Sequence, residues 1–164
     1  MILEKEFLQI IQKNQGIIHK VCNIYCDTED DRNDLFQEIV VQLWRSYPTF
    51  RKESKVSTWM YRVALNTAIT SFKKSKRRPD QNRLTYENFQ IEDEAYDTET
   101  EERIRSLHKA VNHLTGIEKS IVLLYLENKK YEDIAEITGI TQNYVRVKMN
   151  RIKKKLKKLM DTED

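Results

Sequence analysis

Asn143, Arg146, Val147, Asn150, Arg151 and Lys154 recur at steps of one, three and four in a strongly basic stretch. On a helix, residues so spaced fall along one side. The chemistry available there is recognition. Asn pairs bidentately with adenine, Arg reaches guanine, and an aliphatic side chain touches a thymine methyl. Lys meets phosphate and makes binding salt-dependent. The opposite side carries Val145, Met149, Ile152, Leu156 and Leu159, one apolar stripe for a core. The pattern fits a helix with one face buried and the other in a DNA major groove.

The element that must position this helix lies just before it. Tyr131, Ile134, Ala135 and Thr138 share a face of a shorter helix, with small Ala135 where two helices would cross closely. Gly139 supplies the positive φ that ends a helix. Thr141 stands where an N-cap belongs. Tyr131 to Arg151 thus reads as a helix-turn-helix. An antiparallel helical pair with a solvated basic face would share the pattern, but not the turn chemistry and small crossing residue together.

A second basic element spans Ser57 to about Lys76. Trp59, Arg62, Asn66, Thr70 and Lys73 fall along one side, and Lys73, Lys74, Lys76, Arg77 and Arg78 end it. Aromatic faces beside cations suit single-stranded nucleic acid, because bases stack while phosphates find Lys and Arg. Trp59 and Tyr61 also fit a core. Ser57 is the expected cap, with Val56 as a hydrophobic staple on Tyr61.

Composition bounds the rest. The chain has 164 residues, 3 Gly, 2 Pro and 34% charged residues, which favours an all-helical protein. Residues 49–78 hold nine basic side chains against one acidic, and residues 103–164 hold fourteen against eight. Between them, residues 79–102 hold one basic against nine acidic. Two basic bodies flank an acidic segment, a layout for two nucleic-acid contacts. MILEKEF lacks the apolar core of a signal peptide, and no run is long enough to span a bilayer, so no membrane insertion and a cytoplasmic location are expected. Cys22 and Cys26 make no disulfide framework. With His19 they could offer zinc ligands, but the interleaved Ile18, Val21 and Tyr25 favour a core helix, and no metal or other cofactor is expected.

The expected fold is all-α: two small helical bundles joined by a flexible acidic linker, the C-terminal bundle holding the helix-turn-helix. Leu3, Phe7, Ile10 and Ile11 begin one amphipathic pattern, which Ile17, Ile18, Val21 and Tyr25 continue. Thr28 opens a helix whose stripe is Leu35, Ile39, Leu43 and Tyr47, widened by Phe36, Val40 and Trp44 and closed by Pro48. The boundaries are a domain over 1–78, a linker over 79–102 without periodicity, and a domain over 103–164. In the last, Thr115 and Glu118 form a capping box and Asn128 takes a left-handed turn.

Asp34 to Arg78, DLFQEIVVQLWRSYPTFRKESKVSTWMYRVALNTAITSFKKSKRR, resembles region 2 of the bacterial sigma-70 family. Leu114 to Leu159, LTGIEKSIVLLYLENKKYEDIAEITGITQNYVRVKMNRIKKKLKKL, resembles its region 4. The short linker is similar to that of the extracytoplasmic-function group of sigma factors. The resemblance covers about two-thirds of the chain in the family's order. It implies a non-enzymatic subunit that binds core RNA polymerase, at the β′ clamp coiled coil and the β flap, and directs promoter recognition, DNA opening and transcription initiation. An anti-sigma factor is a further implied partner.

Residue by residue, Asp34, Gln37, Glu38 and Val41 match the face that docks on the β′ coiled coil. Phe50 to Val56, with Phe50 and Arg51, matches the loop that captures a flipped base of the −10 element. Trp59, Arg62 and Asn66 match positions at the site of strand opening, with Lys73 and Lys74 beyond them. Asn143 to Arg151, capped by Thr141 and followed by Lys154, matches the helix that reads the −35 element. The family usually has Leu-Pro where this chain has Leu114-Thr115. It often has Gly at Asn128 and a small hydroxyl residue at Lys130, so the first motif helix is less well capped here. A simple helix-turn-helix repressor would need a dimer face or ligand domain, which residues 1–78 do not resemble. An anti-sigma protein would not need two basic faces, and no catalytic constellation marks an enzyme.

Overall fold

The structure, a computed structural model, describes residues 2–50, 52, 54–76 and 98–161, with only the backbone of residues 75 and 76. Among these residues it is helical, with no strand. Four helices form the first bundle: α1 (Ile2–Lys13), α2 (Gln15–Tyr25), α3 (Glu29–Ser46) and α4 (Val56–Lys76). The first apolar pattern is one continuous run in the sequence but two helices in the fold. The chain bends at Asn14, whose side-chain Nδ2 donates to the Ile10 carbonyl at 2.8 Å. Asn offers the backbone this alternative to a continued ladder.

α3 starts as its residues dictate. Thr28 is its N-cap, accepting from the Asp31 N–H at 3.0 Å, and Glu29, Asp30 and Asp31 lie at the positive end of the helix dipole. Its stripe of Leu35, Ile39 and Leu43 is buried. A short 3-10 turn, Tyr47–Thr49, follows and carries Pro48. α4 opens at Val56, one residue before the expected start, so Ser57 lies inside the helix and Lys55 contributes the first carbonyl, to the Trp59 N–H. Val56 packs on the core from within the first turn.

The second bundle comprises α5 (Thr98–Asn112), α6 (Gly116–Leu126), α7 (Tyr131–Thr138) and α8 (Gln142–Asp161). Helix begins at Thr98, inside the segment read as linker. Glu99 and Glu101 suit its first turn, and Glu99 pairs with Arg103 at 3.0 Å one turn on. The rest of the acidic segment, 79–97, lies outside the described residues. Thr115 and Glu118 form both bonds of the capping box at the start of α6. Burial works to raise the Glu118 carboxyl. Hydrogen bonds from Thr115 and the Lys155 ammonium outweigh it and hold the group below the ordinary range. Asn128 adopts the left-handed conformation, with φ of 62°, as its turn requires.

The two bundles pack on each other. A single apolar cluster runs from Ile18, Val21 and Ile39 to Leu114, Ile121 and Ile134. α6 lies against both α2 and α4, and α7 lies against α4.

Candidate nucleic-acid interface

The helix-turn-helix has the geometry its residues call for. Gly139 ends α7 at φ of 79°, its N–H bonded to the Ala135 carbonyl at 2.9 Å. An L side chain would be strained there. Thr141 caps α8, its hydroxyl accepting from the Tyr144 N–H at 3.1 Å. Lys130 precedes α7 without a side-chain cap, as its type implied. Val145, Met149 and Ile152 are buried, and Leu156 and Leu159 are half-buried.

Burial of that stripe fixes the opposite face outward. Asn143, Arg146, Val147, Asn150, Arg151 and Lys154 are all exposed, as is Thr141. Two neighbouring lysines, which basic composition alone would assign to phosphate, have other roles. Lys155 pairs with Glu118 at 3.3 Å, tying α8 to the cap of α6, and Lys153 lies 4.8 Å from the centre of the Tyr125 ring. Tyr144 was not singled out by the sequence, yet it is exposed beside Asn143, with Lys148 over its ring at 5.3 Å. Its exposure follows from α8's rotation, which the buried stripe of Val145, Met149 and Ile152 fixes.

On α4, Asn66, Lys73 and Lys74 are exposed and Phe50 is half-buried. Arg51 lies outside the described residues, as do the side chain of Lys76 and residues 77 and 78. Trp59 departs from the expected exposed side. It is 6% exposed, stacked on Phe50 with ring centres 4.7 Å apart and 6.0 Å from Tyr47. The ring therefore backs Phe50 rather than offering its own face. Arg62 is half-buried and donates to the Glu136 carbonyl of α7 at 3.1 Å.

Asp34, Gln37, Glu38 and Val41 form one exposed face of α3. Gln42 donates to Glu38 at 2.9 Å. Trp44, read from sequence as widening the core stripe, is 39% exposed, its other edge on Phe7 at 5.0 Å. Spaced three residues from Val41, it adds an aromatic to that face. No helix among the described residues is long and apolar enough to cross a membrane. His19 lies 4.9 Å from Phe36, and burial pushes the Cys22 and Cys26 thiols up to about 11 and 12. Thiols held protonated are poor metal ligands.

Two family models match the chain: Sigma-70 region 2 over residues 10–78, and Sigma-70, region 4 over residues 104–156. RNA polymerase sigma factor SigV of Bacillus subtilis is 31% identical over 143 residues, covering 85% of this chain and 82% of that protein. The ECF RNA polymerase sigma-E factor of Haemophilus influenzae is 29% identical over 172 residues, with 96% and 90% covered. Two solved structures share the fold. The sigma factor RpoE, in complex with the anti-sigma factor NepR from Bartonella quintana, gives a TM-score of 0.67 at 19% identity over 98% of both chains. CnrH, in complex with the cytosolic domain of CnrY, gives 0.69 at 14% identity, with 98% of this chain and 91% of that one covered.

Proposed function

We infer, from the premise that this chain belongs to the sigma-70 family and its extracytoplasmic-function group, that it binds core RNA polymerase and directs promoter recognition, DNA opening and transcription initiation. The observation that carries this is the order of the two matched regions, each on a bundle with its own exposed basic helix. Residues 1–78 act on core polymerase and the −10 element, and residues 103–164 on the −35 element. The protein works without catalysis of its own, in the cytoplasm with the polymerase. Promoter DNA and an anti-sigma factor are its further partners. Capture of core polymerase, followed by transcription from a promoter the complex selects, tests the reading. A chain that neither binds core nor redirects it would overturn it.

The face of Asp34, Gln37, Glu38 and Val41 docks on the β′ coiled coil, joined by Trp44. Its small apolar centre and polar rim support that role. Reversing the charges of Asp34 and Glu38 should weaken core binding while leaving the melting temperature nearly unchanged, because exposed charges contribute little to stability. Unchanged affinity for core in a titration of the double variant would remove this assignment.

On α8, Asn143 and Asn150 reach adenine, Val147 a thymine methyl, and Arg146 or Arg151 guanine, while Lys154 meets phosphate. Arg146→Ala and Arg151→Ala should each weaken binding of the upstream element by roughly tenfold and relax preference at one base pair, as loss of a bidentate base contact does. Lys154→Ala should weaken all sequences alike and flatten the salt dependence. Gel-shift titrations against a base-substituted series distinguish the two patterns. Identical behaviour of all three variants would mean α8 is turned differently in the groove.

A further inference from the structure

The lysines of α8 divide by what they touch. Lys153 lies over the Tyr125 ring and Lys155 pairs with Glu118, so both reach across to α6 and hold the helix in its bundle. Lys148 does neither. Its ammonium turns back along its own helix, onto the Tyr144 ring one turn earlier, 5.3 Å from the ring centre. A cation over an exposed ring is weakly held and fastens no other element, but it parks the charge over one spot of the surface. Tyr144 is 45% exposed even though its backbone is fixed, the N–H donating to the capping Thr141 hydroxyl at 3.1 Å. Among the described residues, neither the Tyr144 hydroxyl nor the Lys148 ammonium has a hydrogen-bond or ion-pair partner. Two polar ends thus stand side by side on the recognition helix with no work inside the fold.

Helical spacing sets where this pair stands. At about 100° per residue, Asn143, Val147, Asn150 and Lys154 mark the centre of the outward face, opposite the buried Val145, Met149 and Ile152. Arg146 lies toward one edge. Tyr144 and Lys148 form the other edge, just outside Arg151. A helix with its side chains is about 10–12 Å across, and the major groove is about 12 Å wide. A helix seated there meets base edges along its centre and sugar-phosphate walls along its edges, and contacts to the walls set register rather than sequence. We propose that Tyr144 and Lys148 are a phosphate clamp on one wall of the upstream element: the parked ammonium meets one phosphate, and the Tyr144 hydroxyl donates to the same phosphate or its neighbour. The clamp fixes how far α8 can slide along the groove, and it rests on the reading of α8 as the helix that enters that groove. Its chemistry suits phosphate, since an ammonium is a compact point charge with donors only and a phenol supplies one donor on a stiff ring. The ring also explains the pairing. By holding Lys148 along one direction, it leaves a long side chain less freedom to lose on binding.

Tyr144→Phe and Lys148→Gln, in the full-length protein bound to core polymerase, test this on a promoter fragment that the wild-type holoenzyme selects. Both should keep the wild-type helicity and melting temperature, because Phe keeps the ring and neither polar end holds another part of the fold. Each should weaken binding by about tenfold, the loss of one charge-assisted contact. Lys148→Gln should reduce the slope of log affinity against log salt by about one, whereas Tyr144→Phe changes no charge and should leave it alone. Base preference across the upstream element should stay that of the wild type in both. Ethylation interference locates the clamp. Wild-type binding should fail when one particular phosphate or its neighbour is ethylated, and each variant should become indifferent to its own phosphate while keeping every other interference. Wild-type affinity in either variant would overturn the clamp. So would a Lys148→Gln slope equal to that of the wild type, or a preference relaxed at one base pair, which would make the two side chains base readers. Arg146→Ala is run alongside. Wild-type behaviour in all three variants strikes the placement of α8 in the groove, and the clamp with it. A loss in Arg146→Ala with wild-type behaviour in the other two strikes the clamp alone.

Discussion

Trp59→Ala is expected to destabilise the N-terminal bundle by ~3–5 kcal/mol, the cost of emptying a large aromatic site in a packed core. That is a large share of the ~5–15 kcal/mol that holds a typical domain together. The ring stacks on Phe50 and lies near Tyr47, so its loss frees the 3-10 turn and the loop that follows. Denaturant titration should show a lowered midpoint, with aromatic near-ultraviolet dichroism weakened even before the transition. Trp59→Phe keeps a ring against Phe50 and should recover most of the loss. If Trp59→Ala melts like the wild type but fails only with DNA, the ring is a stacking surface after all and the packing seen here does not govern it.

Trp59 also marks where sequence patterning reaches its limit. Its spacing with Arg62 and Asn66 places all three on one side of a helix, and that much is true of α4. Burial depends on which neighbours arrive at each point along that side, and Phe50 comes from a loop whose path no periodicity encodes. Trp44 errs in the opposite direction for the same reason. By type it belongs to a core, yet the short α1 covers only the Phe7 edge of it. The caps were the most legible features, because Thr28, Thr115 and Thr141 bond to backbone groups within three residues. The recognition face of α8 was legible too, since an unbroken stripe of Val145, Met149 and Ile152 fixes its rotation.

What the sequence did not carry was the seam between bundles. Lys119 sits between Glu118 and Ser120, just before the apolar run Ile121 to Leu126, where a lysine reads as part of an exposed first turn. Its place becomes clear only when Ile24, Tyr25 and Phe72 converge on it from residues more than 45 positions away. Net charge gave a hint of the wrong kind. Two basic bundles should repel at long range, but at contact the specific bonds of Tyr25, Lys119 and Arg62 outweigh a screened repulsion.

Asn66→Ala is expected to leave folding, core binding and upstream-element binding intact while lowering promoter opening by about a hundredfold, the scale set by a base-extrusion cost of a few kcal/mol. Folding is safe because Asn66 is exposed and Ala is the better helix former. Only its backbone carbonyl, which the substitution keeps, takes the Thr70 hydroxyl at 2.9 Å. The defect should fall on opening because Asn66 stands one turn beyond Arg62 and two turns before Lys73, between the groups that would meet the fork and those that would track phosphate. Permanganate reactivity of unpaired thymines, at a promoter the wild-type holoenzyme opens, reads the step directly. A template with a pre-melted bubble removes the extrusion cost and should restore most of the activity. Normal opening by Asn66→Ala would move the fork contact elsewhere on α4. A defect that the bubble fails to rescue would assign Asn66 to a step after melting.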